Sequence, residues 1–140
     1  MNHDSYSDEY IRGILDTVKT IAVIGASPKE NRPSFGVFKF LRARGYRTIP
    51  VNPGQVGKSL LGEPFRARLA DIDEPVDMVD IFRATHSVPP IVDEALAMRP
   101  LPSVIWMQLD IRDDAAAAKA EAAGIKVVMN RCPAIELGRL

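Results

Sequence analysis

The spacing of apolar residues changes repeatedly along this chain. Between residues 6 and 18 they recur at helical intervals (Tyr6, Tyr10, Ile14, Leu15, Val18), with Ser5 or Ser7 placed to cap the segment, so a lead-in helix is expected. Residues 20–25, TIAVIG, form a short β-rich run ending in glycine, which reads as a strand buried on both faces of a parallel sheet. In residues 34–44 the helical period returns. Phe35, Phe38 and Leu41 share one stripe, Lys39, Arg42 and Arg44 lie elsewhere, and Gly45 follows as a stop. The alternation continues with strands predicted at 46–51, 75–82, 103–108 and 125–129 and helices at 87–99 and 113–123. The first of these helices carries Pro89 and Pro90 in its opening turn, where a missing N–H costs little. The second opens on two acids and closes at Gly124, matching the charge of the two helix ends.

Strands that alternate with helices imply crossovers, and right-handed crossovers put helices on both faces of a parallel sheet. The expected fold is α/β: a Rossmann-like, doubly wound, five-stranded parallel sheet in one domain, residues 1–140, with 1–18 as the lead-in helix. The strand order expected is 3-2-1-4-5. Residues 52–73, rich in glycine and proline, are the least regular stretch, with a short helix expected near 66–70.

Composition narrows the function. At 140 residues, 46% hydrophobic and 26% charged, the chain has an ordinary globular balance and the length of one domain. Eighteen basic and eighteen acidic residues cancel, which argues against a broad surface for nucleic acid or anionic membrane, so an anionic ligand must be held locally. No apolar run approaches the roughly 20 residues of a membrane helix. The polar, acidic start lacks a secretory pattern, and the single cysteine, Cys132, rules out a disulfide framework, so a cytoplasmic location is expected.

In open parallel sheets ligands sit beyond the carboxyl ends of the strands where the strand order reverses, here expected between the first and fourth strands. Gly25, at the end of the first strand, lets the backbone approach a phosphate that meets the N–H groups of the next helix, and Lys29 and Arg32 add positive charge. The G-x-G-x-x-G fingerprint is absent, since Ala26 and Ser27 follow Gly25 and the next glycine is Gly36, so an ordinary strand-to-helix turn is the competing reading. The second strand ends in Val51-Asn52-Pro53, where a dinucleotide enzyme usually holds the ribose with Asp or Glu. A ligand with a phosphorylated ribose escapes the repulsion such a carboxylate would impose. NADP and coenzyme A both qualify.

Several segments together resemble a family: Gly25-Ala-Ser-Pro28, Arg32-Pro-Ser34, Tyr46-Arg-Thr-Ile-Pro-Val-Asn-Pro53, Val76-Asp-Met-Val-Asp-Ile-Phe-Arg83, Ile105-Trp-Met-Gln-Leu109 and Val127-Val-Met-Asn-Arg-Cys-Pro-Ala-Ile-Glu136. They resemble the small bacterial CoA-binding-domain proteins, whose domain is similar to the N-terminal CoA-binding domain of the succinyl-CoA synthetase α subunit. The resemblance implies that coenzyme A is bound through three elements: the loop from Gly25 through Ala26, Ser27, Pro28 and Arg32 to Ser34, the end of the second strand at Asn52 and Pro53, and the tip of the fourth strand. It further implies phosphate contacts at Ala26, Ser27 and Arg32, with Lys58 as a further one, and Met107, Gln108 and Leu109 beside the pantetheine arm or adenine. The synthetase also uses a phosphorylated histidine from a second domain, which this chain lacks, so ligase activity is not expected.

The remaining candidates are read against plainer roles. His3 lies in a terminus expected to fray, and His86 has no Ser, Cys or carboxylate placed beside it by the sequence. Cys132, next to Arg131, is either a reactive thiol or a small packing residue, the latter favoured. Arg83 either meets a phosphate or pairs with a local aspartate. Asp77 and Asp80 are expected on opposite faces of a strand, and Trp106 in the core. No metal site is visible. The expectation is a non-catalytic protein binding coenzyme A or an acyl derivative, as a homo-oligomer or as the partner subunit of an enzyme. The alternative is a small NADP-dependent oxidoreductase or other nucleotide-using enzyme, and a third reading is a structural partner without a ligand.

Overall fold

The computed structural model describes residues 1–140 as five helices and seven strands. The helices are α1 Asp8–Thr17, α2 Pro33–Ala43, α3 Val88–Leu96, α4 Asp114–Ala122 and α5 Pro133–Arg139. The strands are β1 Thr20–Ile24, β2 Arg47–Val51, β3 Ser59–Leu60, β4 Glu63–Pro64, β5 Met78–Ile81, β6 Val104–Met107 and β7 Lys126–Val128. Five of them form one parallel sheet in the order β2-β1-β5-β6-β7, while β3 and β4 make a small antiparallel hairpin.

Counting only the sheet strands in chain order, the arrangement is 2-1-3-4-5, which corrects the expected 3-2-1-4-5. The register sets Val23 beside Pro50 on one side and Asp80 on the other, so β1 is an interior strand next to the central β5, and β2 is an edge strand. Pro50 is tolerated because the N–H it lacks would face away from β1, on the outer side where its carbonyl accepts from the Arg66 N–H.

The alternating faces of the strands divide the interior into two cores. Ala22, Ile24, Val79, Ile81, Ile105 and Met107 pack against α3 and α4. Ile21, Val23, Met78, Val104, Trp106 and Val128 pack against α1, α2 and α5. Trp106 is fully buried, as expected, and its indole N–H donates to the Arg131 carbonyl at 2.8 Å.

Local signals behave as the chemistry predicts. The Ser7 hydroxyl accepts from the Tyr10 N–H, and the Asp113 carboxylate accepts from the Ala116 N–H, each capping its helix. The N-terminal segment is tied down rather than frayed: the His3 ring bonds the Tyr6 hydroxyl at 2.7 Å and Glu121 at 3.0 Å, and the Tyr6 hydroxyl accepts from the Met129 N–H. In residues 52–77 the structure has the β3–β4 hairpin and a 3-10 turn at Leu69–Asp71, the latter in place of the short helix expected at 66–70. α5 has no counterpart among the expected elements. Its signal is Pro133 at the first helical position with Glu136 in the first turn and Arg139 in the last.

Candidate ligand site

The observed order moves the point of reversal. From β1 the chain leaves to one face through α2, and from β5 it leaves to the other through α3, so the crevice opens between β1 and β5 rather than between the first and fourth sheet strands. Gly25 sits at its floor with φ +84°, and a Cβ built there would lie 2.6 Å from the Phe82 carbonyl oxygen and 2.9 Å from Arg83 Cδ. Only glycine lets the end of β1 lie this close to the end of β5.

Around Gly25 lies a polar cavity of about 380 Å³ lined by Ser27, Lys29, Arg32, Ser34, Asn52 and Gln55, with Pro33 and Phe82. Two cations and no carboxylate line it, and it opens beside the N-terminus of α2, where backbone dipoles favour an anion. The Ser27 hydroxyl accepts from the Lys29 N–H at 3.1 Å, which shapes the loop. The Asn52 amide donates to the Ala26 carbonyl at 3.0 Å and its oxygen accepts from the Gly54 N–H at 3.0 Å. Gln55 Oε1 is buried with no protein partner.

Two further cavities adjoin the polar one. Through Pro33 and Phe82 it borders a cavity of about 750 Å³ between α2 and the start of α5, whose wall includes Arg83, Gln108, Leu109 and Cys132 among mostly apolar side chains. Through Gly25 it borders a cavity of about 270 Å³ that includes Pro53, Arg68, Arg83 and Glu94. Beneath the crevice Asp80 is fully buried opposite Trp106, and burial pushes its carboxyl well above the usual range. The Gln108 side-chain amide lies within hydrogen-bond distance of both Asp80 carboxyl oxygens, at 2.9 and 3.2 Å. Asp77, just before β5, instead accepts from the Lys19 and Thr20 N–H groups at 2.9 Å each.

The structure therefore gathers Gly25, Ser27, Arg32, Ser34 and Asn52 around one cavity and brings Pro53, Arg83, Gln108 and Leu109 to its neighbours. Ala26 is buried and meets this region through its carbonyl, and Pro28 lies in the loop between Ser27 and Lys29. Met107 points into the α3–α4 core, and Lys58 is exposed, outside all three cavities. His86 is exposed in a 3-10 turn. Sequence reasoning did not single out Gln55 or Phe82. Gln55 belongs to none of the motifs and Phe82 appears only within the Val76–Arg83 segment, and the folded chain turns both toward Gly25.

A family model described as CoA binding domain matches residues 19–138. The chain belongs to the CoA-binding domain family. Over 122 residues, 87% of each chain, this CoA-binding domain is 34% identical to the Bacillus subtilis (strain 168) protein YneT. Among solved structures it is similar to a Thermus thermophilus protein, at 40% identity and TM-score 0.89 over 96% of this chain and 98% of that one. It is also similar to a Pyrococcus horikoshii OT3 protein, at 35% identity and TM-score 0.90 over 100% and 96%. No helix of the domain is long and apolar enough to cross a membrane.

Proposed function

We propose that the protein binds coenzyme A in the crevice between β1 and β5 and performs no chemistry on it. The observation that carries this reading is a polar cavity with Lys29 and Arg32 on its wall, no carboxylate, and at its floor a glycine whose Cβ would clash with the Phe82 carbonyl. Such a wall suits a diphosphate, which needs N–H donors and cations in place of the water it loses. Ser27 and Arg32 then hold the phosphates and Ser34 borders them. Asn52 keeps the rim neutral for a 3′-phosphorylated ribose, and Gln55 offers its free oxygen to an amino group. Arg83, Gln108 and Leu109 lie where the pantetheine arm leaves the polar cavity. Bound coenzyme A supplies a thiol that carries acyl groups as thioesters. The residues lining the polar cavity include no histidine, cysteine or carboxylate to act as base or nucleophile.

The test is thermal unfolding with each ligand. A hundredfold excess over Kd stabilises the folded state by about 2.7 kcal/mol, so coenzyme A should raise the melting temperature. Dephospho-coenzyme A, ATP and NADP should do so less. Stabilisation by NADP alone would favour a nucleotide-using enzyme, and no response to any ligand would leave the structural-partner reading.

A further inference from the structure

Resting on the coenzyme A reading, we infer that the cavity between α2 and the start of α5 takes the hydrocarbon chain of a medium-chain acyl thioester of coenzyme A. This cavity, about 750 Å³, is about twice the volume of the polar cavity it joins at Pro33 and Phe82. Its polar groups, Arg83, Gln108 and Asp110, come from the segments after β5 and β6, while α2 and α5 contribute Val37, Phe40 and Ile135. The amides of the pantetheine arm find partners along the Arg83, Gln108 and Asp110 side but would lose water unfavourably against Val37, Phe40 and Ile135, where a methylene chain gains.

Two features of the chain fit such an occupant. Leu109 and Ile135, among the few large apolar residues left exposed (49% and 56%), both stand on this cavity. A chain lying there covers them. Gly36, inside the first turns of α2, also lines it, and a Cβ at that position meets nothing within 4 Å. Its φ is unremarkable and glycine is among the poorest helix residues, so backbone geometry does not explain its presence. A larger side chain there would take up room in the cavity.

Binding is measured by calorimetry for coenzyme A and its acetyl, butyryl, hexanoyl and octanoyl thioesters, below micelle-forming concentrations. Full burial of a methylene is worth about a three- to fourfold gain in affinity, so even partial burial should make octanoyl bind at least about tenfold tighter than acetyl. Gly36→Leu, which fills the space, and Ile135→Asn, which makes its wall polar, should each reduce that ratio toward one. If coenzyme A binds while the thioesters show no gain with length, or the gain persists in both variants, the acyl site is wrong and the coenzyme reading stands. If neither coenzyme A nor any thioester binds, the underlying reading fails.

Discussion

The Asn52 side chain is fastened to Ala26: its amide nitrogen donates to the Ala26 carbonyl at 3.0 Å while its oxygen accepts from the Gly54 N–H at 3.0 Å. One residue thus ties the loop after β2 to the loop after β1, the two loops that shape the polar cavity. An aspartate here, of the same size, would lose the donor toward Ala26 and place a negative charge on the rim.

Asn52→Asp should therefore destabilise the fold by about 1–2 kcal/mol, from one lost hydrogen bond and an acceptor facing a carbonyl. It should also weaken coenzyme A more than dephospho-coenzyme A, because only the former brings a ribose phosphate. Calorimetry with both ligands checks this, and equal losses would remove Asn52 from the ribose rim.

Gly25→Ala meets a carbonyl oxygen 2.6 Å from the new Cβ and a backbone φ of +84° that L residues rarely adopt. A loss of about 2 kcal/mol or more is expected from strain and displacement of β1 from β5, read from urea midpoints. Coenzyme A affinity should fall beyond what the remaining folded fraction explains.

Arg32 is exposed at the start of α2 and makes no side-chain capping bond there. Arg32→Ala should leave the melting temperature of the free protein nearly unchanged. Coenzyme A binding should weaken by about 1–3 kcal/mol, the worth of a charge-assisted contact. Unaltered affinity would exclude a phosphate contact.

Asp80 carries a pH dependence whose sign follows from burial. Its carboxyl is raised in the folded chain by desolvation. An unfolded chain therefore releases this proton at about pH 4 while the folded one retains it, and stability contributed by this group falls as pH rises above that value. Asp80→Asn keeps the shape and a hydrogen-bonding partner for Gln108 without the titration. Relative to wild type, the variant should become progressively more stable between about pH 4 and neutrality, as seen in urea unfolding at several pH values. Parallel profiles would contradict the raised carboxyl.

Much of this molecule is written in local periods. The buried run of β1, the stripe of Phe38 and Leu41 on α2, the Ser7 and Asp113 caps and the proline-led α3 all follow from residues within a few positions of one another. Gly25 and Asn52 could be singled out because they stand at strand ends, where parallel sheets bind ligands. The short α5 went unrecognised because seven residues give too little period to read.

Strand order was decided only by the folded chain. Right-handed crossovers permit 2-1-3-4-5 as well as 3-2-1-4-5, and nothing within β5 announces that it pairs with β1 across fifty-odd residues of sequence. Pairing depends on which faces and edges remain to be buried once all the elements are packed, a property of the assembled core. For the same reason, the part played by Gln55, by Phe82 and by the apolar cavity beside α5 is not written in any local segment: residues distant in the chain meet there because β1 and β5 lie side by side. The sequence alone determined the main alternating strands and helices and the ends at which to look, and tertiary packing determined which of those ends meet.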